Sequence, residues 1–305
     1  MDELLEQILA ECQPYTARGA VATYIPELAK VDKNGLGIYI QCSDGRHYSV
    51  GDWNHPFTIQ SVMKPILLLL ALMDNGIDEV RRHIGVEATG KPFDAINVSD
   101  TALSSNHLNP MVNAGAILLC TLIKGKDYTE RFERLLALIR QLSGDPEITL
   151  DEDVYRSEKA TGSKNRALAY LLHSQKMITD DVEEVLDCYF RACSIRVCSR
   201  DLANMGFALA NHGKLPGSDE RLFPSSYAYF INATLTSCGM YDGSADFALR
   251  VGIPAKSGVG GGIMGVVPTR MGIGIYGPAL DEKGNSLAGV QMLSQLSHQL
   301  HLSIF

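Results

Sequence analysis

A serine and a lysine three residues apart lie in the first quarter of the chain, where their types and spacing allow nucleophilic chemistry. Ser61 and Lys64 stand where a helical segment is predicted to begin. Because successive helical residues rotate by about 100°, residues three apart share one helical face. An uncharged amine beside a serine hydroxyl can remove its proton and produce a nucleophile. The pair therefore indicates acyl transfer at Ser61.

A second motif near the other end of the chain, Lys256-Ser257-Gly258, is followed by Val259 and three glycines. Glycines let a backbone approach a ligand closely, so an N–H group here could complete an oxyanion hole. A plain glycine-rich turn remains an alternative. A phosphate-binding loop is disfavoured because the segment lacks that loop's Gly-Lys-Ser/Thr ending and following helix. Together the two motifs favour a serine acyl-transfer enzyme.

The elements that must position these motifs are predicted strands toward both ends of the chain. Leu36 to Cys42 and Arg46 to Val50 are β-rich runs around the turn Ser43-Asp44-Gly45, which predicts a hairpin. Gly262 to Val267 and Met271 to Tyr276 predict two further strands near the other end. Hairpin connections make a sheet antiparallel. We therefore expect one antiparallel sheet built from both ends of the chain.

Helices are predicted at the start, through the middle and at the end of the chain. They cover Met1 to Tyr15, Ser61 to Leu72, Tyr128 to Ser143, Ser163 to Lys176, Asp180 to Ser194, Ser199 to His212 and Ser286 to about His301. A capping box at Thr149 to Glu152 predicts one more. The predicted fold class is α+β: residues 1–80 and 250–305 form the sheet and its flanking helices. Residues 81–249 form a mainly helical lobe of the same 305-residue domain.

Composition excludes several classes of protein. The chain has 305 residues, 46% of them hydrophobic and 20% charged, enough for a large buried core. A net charge of -8 gives no basic footprint for nucleic acid. The most apolar stretch, Ile66 to Met73, is far shorter than the ~20 residues of a membrane span. Met1 to Tyr15 lacks the basic start of a signal peptide. We predict a cytoplasmic protein with no nucleic-acid or membrane partner.

Cysteines and histidines do not predict a metal site. Seven cysteines, an odd number, fit free thiols in a reducing compartment. Cys188, Cys193 and Cys198 recur every five residues, which on a helix rotates each by about 140° from the last. Small apolar core residues are therefore the better interpretation. His298 and His301 have no nearby carboxylate or third ligand, which favours a helix-end pair.

Six segments in chain order resemble the serine-dependent glutaminase family, which shares the penicillin-recognising fold of β-lactamases and DD-peptidases. They are Val21 to Leu28, Phe57 to Lys64, Asn109 to Ala116, Asp151 to Glu158, Cys238 to Asp242 and Val251 to Val259. The resemblance runs over nearly the whole chain and is more specific than Ser-x-x-Lys alone.

The resemblance implies hydrolysis of the γ-amide of L-glutamine to glutamate and ammonia through an acyl-enzyme. Ser61 would be the nucleophile and Lys64 its base. Burial of Lys64 against the apolar run that follows would favour the uncharged amine that a base requires. The N–H groups of Ser61 and Val259 would bind the oxyanion, and Tyr241 would relay a proton to the departing ammonia. This chemistry needs no cofactor or metal.

The resemblance also implies a set of substrate-binding residues: Tyr24, Ser61, Asn113, Glu158, Asn165, Tyr189, Tyr241 and Val259. Glu158 would pair with the ammonium of glutamine. Asn165, Tyr189 and Tyr24 can donate to its carboxylate. Asn113 can donate to the amide region. The Glu158 to Asn165 spacing would share a helical face, but Thr161-Gly162 breaks that helix, so spacing does not establish that the two converge.

Other interpretations stay open from the residues alone. Glu158 could cap a helix end, Asn113 could brace a loop, and Tyr241 could be a ring packed at a turn. A β-lactamase or peptidase, or an inactive member that binds an amino acid or a partner, are the rival functions. The family implies a homo-oligomer, often a tetramer. Glu87 to Gly90 and Phe93 to Ala95 depart from the family pattern, which leaves substrate affinity and assembly open.

Overall fold

Seven strands form two antiparallel sheets in the computed structural model, which describes residues 1–88 and 108–305. They are β1 (Gly37–Cys42), β2 (His47–Gly51), β3 (Phe57–Thr58), β4 (Arg196–Val197), β5 (Ala255–Ser257), β6 (Gly262–Val267) and β7 (Met271–Tyr276). Five of them pair in the order β2-β1-β7-β6-β5, and β3 pairs with β4. The predicted antiparallel sheet from both ends of the chain is confirmed. The short β3–β4 pair was not predicted, since two-residue strands leave no alternating pattern.

Twelve α-helices lie in the described ranges. They are α1 (Asp2–Cys12), α2 (Lys64–Asn75), α3 (Ile77–His83), α4 (Asn113–Leu122), α5 (Tyr128–Ser143), α6 (Glu152–Thr161), α7 (Ser163–Ser174), α8 (Val182–Cys193), α9 (Ser199–Ala210), α10 (Ser225–Cys238), α11 (Ser244–Arg250) and α12 (Leu287–Leu300). The predicted helices are present, and most ends differ by one to three residues because capping side chains decide where a helix stops.

The predicted capping box at Thr149 to Glu152 is wrong in its position. Thr149 and Leu150 are extended, since Leu150 bridges Ile195 and the carbonyl of Thr149 accepts a hydrogen bond from the next strand. Asp151 is the N-cap of α6 instead, and its carboxylate accepts the N–H of Val154 at 3.0 Å. Because Thr149 and Leu150 pair with Ile195 and Arg196, the helix begins two residues later than predicted.

Helices cover both faces of the five-stranded sheet. Leu5 and Ile8 of α1 and Met292 of α12 pack in one apolar cluster with Ile273 and Ile275 of β7. On the other face, α9 lies against β7 so closely that a Cβ atom on Gly274 would stand 1.8 Å from the carbonyl oxygen of Ser199. Glycine in β7 is therefore required for this helix–sheet contact.

The remaining helices form a second apolar cluster beside the sheet, with α2 in it. Ile66 to Leu72 are all buried, which confirms the interpretation of the most apolar stretch as a buried helix. Pro65 lies in the first turn of α2, where its missing N–H costs no helical hydrogen bond. Across residues 1–88 and 108–305, every helix is too short or too polar to cross a membrane.

Candidate active site

A cavity of about 300 Å³ lies where the 3₁₀ turn Gln60–Met63 meets α6, α7, α8 and the β5–β6 turn. Its lining comprises Tyr24, Ile25, Gln60, Ser61, Asn113, Glu158, Thr161, Gly162, Ser163, Lys164, Asn165, Tyr189, Cys193 and Val259. Seven of the eight substrate-binding residues that the resemblance implies are among them, and Tyr241 is the exception. The structure thus brings together side chains that are almost 240 positions apart in the chain.

Ser61 is held at the cavity by the close approach of two backbone segments. It lies in the 3₁₀ turn after Gln60, whose φ of 48° is left-handed. Cβ atoms on Gly258 and Gly260 would stand 2.9 Å from the Ile59 carbonyl oxygen and 2.3 Å from the Thr58 carbonyl oxygen. The glycines therefore let the β5–β6 turn lie against the segment that carries Ser61.

Val259 lies in that glycine turn and lines the cavity together with Ser61. The turn is closed by a hydrogen bond from the N–H of Gly258 to the carbonyl of Gly262 at 2.9 Å. A second bond runs from the N–H of Gly261 to Gly258 at 3.0 Å. Ser61 and Val259 therefore line the same cavity, although they come from distant parts of the chain.

Lys64 is fully buried, one helical turn after Ser61. Its amine donates to the side-chain oxygen of Asn113 at 2.7 Å and to the carbonyl of Met111 at 3.2 Å. Both acceptors are uncharged. These two hydrogen bonds orient the amine. A carboxylate in place of either acceptor would stabilise the protonated amine more strongly.

Asn113 links Lys64 to the helical side of the cavity. It is the first residue of α4, and its amide nitrogen donates to the side-chain oxygen of Asn165 at 2.9 Å. Asn165 lies in α7 just after Gly162, where the chain passes from α6 to α7. The predicted helix break is present, since α6 ends before Gly162 and α7 begins after it. The change of direction there brings Glu158 and Asn165 to one cavity.

Glu158 is a buried carboxyl group three residues before the end of α6, with 5% of its surface exposed. The residues that cap this helix are Asp151 and Gly162. Burial raises its pKa to about 7, against the smaller lowering effects of a hydrogen bond with Gln60 and the charge of Lys64. A carboxyl group in such surroundings favours a cationic partner when one enters the cavity.

Tyr241 and Lys256 pack against each other outside the cavity lining, and Tyr241 lies beside Ser61. Tyr241 is buried, and its side chain interacts with that of Ser61. Burial raises its pKa, so the phenol keeps its proton. The amine of Lys256 lies 4.3 Å from the centre of the Tyr241 ring and donates to the carbonyl of Ser257 at 2.7 Å. Burial, and then the charge of Lys64, lower the pKa of Lys256 well below its usual value.

The two predicted tyrosines of the lining differ in exposure. Tyr189 of α8 is almost completely buried, and burial raises its pKa well above its usual value. Tyr24 lies in the loop before the first strand and is 56% exposed. Tyr189 therefore belongs to the cavity wall, whereas Tyr24 lies at its mouth.

Sequence reasoning missed several residues at the site, and three of them have contacts that bear on its chemistry. Gln60 lines the cavity and bonds to Glu158, and Cys193 lines it with a thiol whose pKa burial raises. The side chain of Lys256 lies against Tyr241, although the sequence predicted for this motif only a backbone N–H group at an oxyanion hole. The position of Gln60 next to Ser61 was the one available signal, since the other contacts depend on tertiary packing.

Part of the altered loop noted in the sequence, residues 89 to 95, falls outside the described residues. Within the described ranges, histidine, cysteine and carboxylate side chains do not assemble in groups of three or more that could hold a metal ion. Cys188 and Cys193 are buried in the helical cluster, and Cys198 is half-buried.

Comparison with known proteins identifies the enzyme class as an amidohydrolase. The Glutaminase family model matches residues 19–305. A glutaminase of Clostridium tetani is 50% identical over 305 residues, all of both chains, and glutaminase 2 of Clostridium perfringens is 48% identical over the same span. The chain belongs to the glutaminase family. It is also similar to the structure of a probable glutaminase from Bacillus subtilis complexed with 6-diazo-5-oxo-L-norleucine, with 39% identity and a TM-score of 0.90. That similarity covers 99% of this chain and 96% of the other.

Proposed function

We propose that this enzyme hydrolyses the γ-amide of L-glutamine through an acyl-enzyme on Ser61. The observation that carries the proposal is that Ser61 lines a cavity together with the buried carboxyl group of Glu158, with Lys64 one turn after it and Tyr241 behind it. Lys64 takes the hydroxyl proton as Ser61 attacks the amide carbon. The N–H groups of Ser61 and Val259 bind the oxyanion of the tetrahedral intermediate.

Collapse of that intermediate breaks the carbon–nitrogen bond. Tyr241 gives its phenol proton to the nitrogen and takes in turn the proton that Lys64 removed from Ser61, so that ammonia leaves, Lys64 is uncharged again and Ser61 carries the glutamyl group. Water then attacks the ester with Lys64 again as base. The products are glutamate, ammonia and the free Ser61 hydroxyl, so the reaction consumes one water.

The rest of the cavity recognises the amino-acid end of the substrate. Glu158 pairs with the α-ammonium, which neutralises a carboxylate that burial disfavours. Tyr24, Asn165 and Tyr189 donate to the α-carboxylate, and Asn113 contacts the amide while it orients Lys64. A free amino acid fits this set of groups, since both of its charged ends then have partners.

The β-lactamase-like fold, the homotetramer and the cytoplasmic location are also proposals. The antiparallel sheet with a helical lobe supports the β-lactamase-like fold and a single domain over residues 1–305. All seven cysteines are free thiols, which supports a cytoplasmic location. A homotetramer is expected from the family resemblance, and light scattering of the purified enzyme tests it: a monomer would contradict it.

Covalent labelling tests the nucleophile. Treatment with 6-diazo-5-oxo-L-norleucine should attach 5-oxo-L-norleucine to the peptide that contains Ser61, and Ser61→Ala should remain unlabelled. Ammonia release from glutamine and asparagine, and the colour change of a chromogenic β-lactam on ring opening, test the substrate. Label on another residue would overturn the assignment of Ser61. Lactam turnover without ammonia release from glutamine would overturn the proposed substrate.

A further inference from the structure

The backbone at Tyr241 is in an unfavourable conformation next to the reacting groups. Its φ is 57°, in the left-handed region that residues with a Cβ atom rarely adopt. Such a conformation persists only where surrounding contacts impose it, and these positions occur often at functional sites. The contacts that impose it here come from two separate parts of the chain.

Ser244, the first residue of α11, makes hydrogen bonds to the backbone on both sides of the peptide bond that joins Met240 and Tyr241. Its hydroxyl oxygen accepts the N–H of Met240 at 3.0 Å, and the hydroxyl donates to the carbonyl of Tyr241 at 2.8 Å. The side chain is buried, so water cannot easily replace these bonds. We infer that Ser244 is a positioning residue that holds Tyr241 in the conformation from which its phenol reaches Ser61.

A second contact to the same turn comes from the loop between β7 and α12. The side-chain amide of Asn285 donates to the carbonyl of Met240 at 3.4 Å. Asn285 is 4% exposed, and its side-chain oxygen has no partner among the residues that the structure describes. A buried oxygen without a hydrogen-bond partner destabilises the fold, and an apolar residue would not have one. The bond to Met240 therefore best explains an amide at this position.

The inference rests on the proposed role of Tyr241. Without the Ser244 hydroxyl, both bonds to the turn are lost and the Tyr241 backbone can relax toward the right-handed region. The phenol then moves away from Ser61. Because Tyr241 does not line the substrate cavity, the turnover number should change while substrate affinity does not.

A double-mutant cycle tests the inference. Ammonia release should show that Ser244→Ala lowers kcat by about tenfold to a hundredfold, with KM changed by less than about twofold. Tyr241→Phe removes the phenol itself. In that background, Ser244→Ala should lower kcat by no more than about twofold, because the group that it positions is gone.

Ser297→Ala is the matched control, since Ser297 is as buried as Ser244 and also donates to a backbone carbonyl, that of Val251. It should leave kcat unchanged. Asn285→Leu, which should lower kcat in the same direction, carries the test if Ser244→Ala does not fold.

Three results would overturn the inference: unchanged kcat in Ser244→Ala, an equal fall in the Tyr241→Phe background, or an equal fall in Ser297→Ala. Full activity of Tyr241→Phe would instead overturn the proposed role of Tyr241, on which the inference depends. The single variants therefore separate the two failures.

Discussion

The amine of Lys64 lies 2.7 Å from the side-chain oxygen of Asn113, to which it donates a hydrogen bond. Both residues are buried, so the bond fixes the direction of the amine in a site of low dielectric constant. An uncharged amide in this place orients the base and stabilises its protonated form less than a carboxylate in the same place would. The choice of asparagine over aspartate is therefore part of the proposed mechanism.

Asn113→Asp should inactivate the enzyme by changing the charge beside the base. A carboxylate facing the Lys64 amine stabilises the ammonium, which cannot accept the Ser61 proton. We expect kcat to fall by at least about a hundredfold near neutral pH, and its acid limb to move to higher pH. Steady-state ammonia release across pH measures both.

Asn165→Asp is the control for this substitution. Asn165 bonds to Asn113 and not to Lys64 in the contacts described above. It should raise KM more than it lowers kcat. Equal pH profiles for Asn113→Asp and the wild type would contradict the proposed effect of charge.

The spacing of Ser61 and Lys64 was sufficient to predict that the two side chains lie one turn apart at the start of a helix, because it depends only on local backbone geometry; their roles as nucleophile and base stay predictions. The sheet was predictable for a similar reason, since β1, β6 and β7 each carry a continuous apolar or β-branched run. The position of Lys256 against Tyr241 was not predictable, because it depends on how β5 lies beside the Tyr241 turn.

The arrangement of the residues around the substrate cavity was also not predictable from local sequence patterns. Glu158 and Asn165 were connected only through a family resemblance, since their helices meet at the kink of Gly162. The left-handed backbone of Gln60 and Tyr241 leaves no mark in the sequence, because both residue types normally adopt right-handed or extended conformations. Tertiary contacts decide both.

Glu158→Gln should weaken substrate binding more than catalysis. Loss of the charge that pairs with the α-ammonium costs about 2 kcal/mol or more, or about thirtyfold in KM. In the wild type, kcat/KM should fall as the pH drops below about 7, because Glu158 becomes protonated and loses its charge. The variant should lack this dependence. Glu152→Gln, at the exposed start of the same helix, should behave as wild type, and an unchanged KM in Glu158→Gln would contradict the assignment.

The same substitution should stabilise the fold at alkaline pH. Burial raises the pKa of Glu158 from 4.5 to about 7, so the folded state binds more protons between these values and stability falls as pH rises. Removing the carboxyl group should therefore gain as much as about 3 kcal/mol near pH 8 and little near pH 5. Urea unfolding at the two pH values measures the difference. If Glu158→Gln gained the same free energy of unfolding at both pH values, the raised pKa of Glu158 would not be the cause of the gain.

Gly274→Ala should destabilise the protein by more than about 2 kcal/mol. The new Cβ atom would stand 1.8 Å from the Ser199 carbonyl oxygen, so α9 must move away from the sheet. Gly265→Ala, on the adjacent strand, would meet its nearest atom at 3.3 Å and should cost less. Thermal unfolding compares the two, and equal losses would show that α9 does not pack as described.

Ammonia release by Ser61→Ala tests the central claim most directly. The account predicts that the variant still binds glutamine in calorimetry, through Glu158 and the carboxylate-binding residues, while ammonia release falls at least about a thousandfold. Ammonia release at the wild-type rate would contradict Ser61 as the nucleophile.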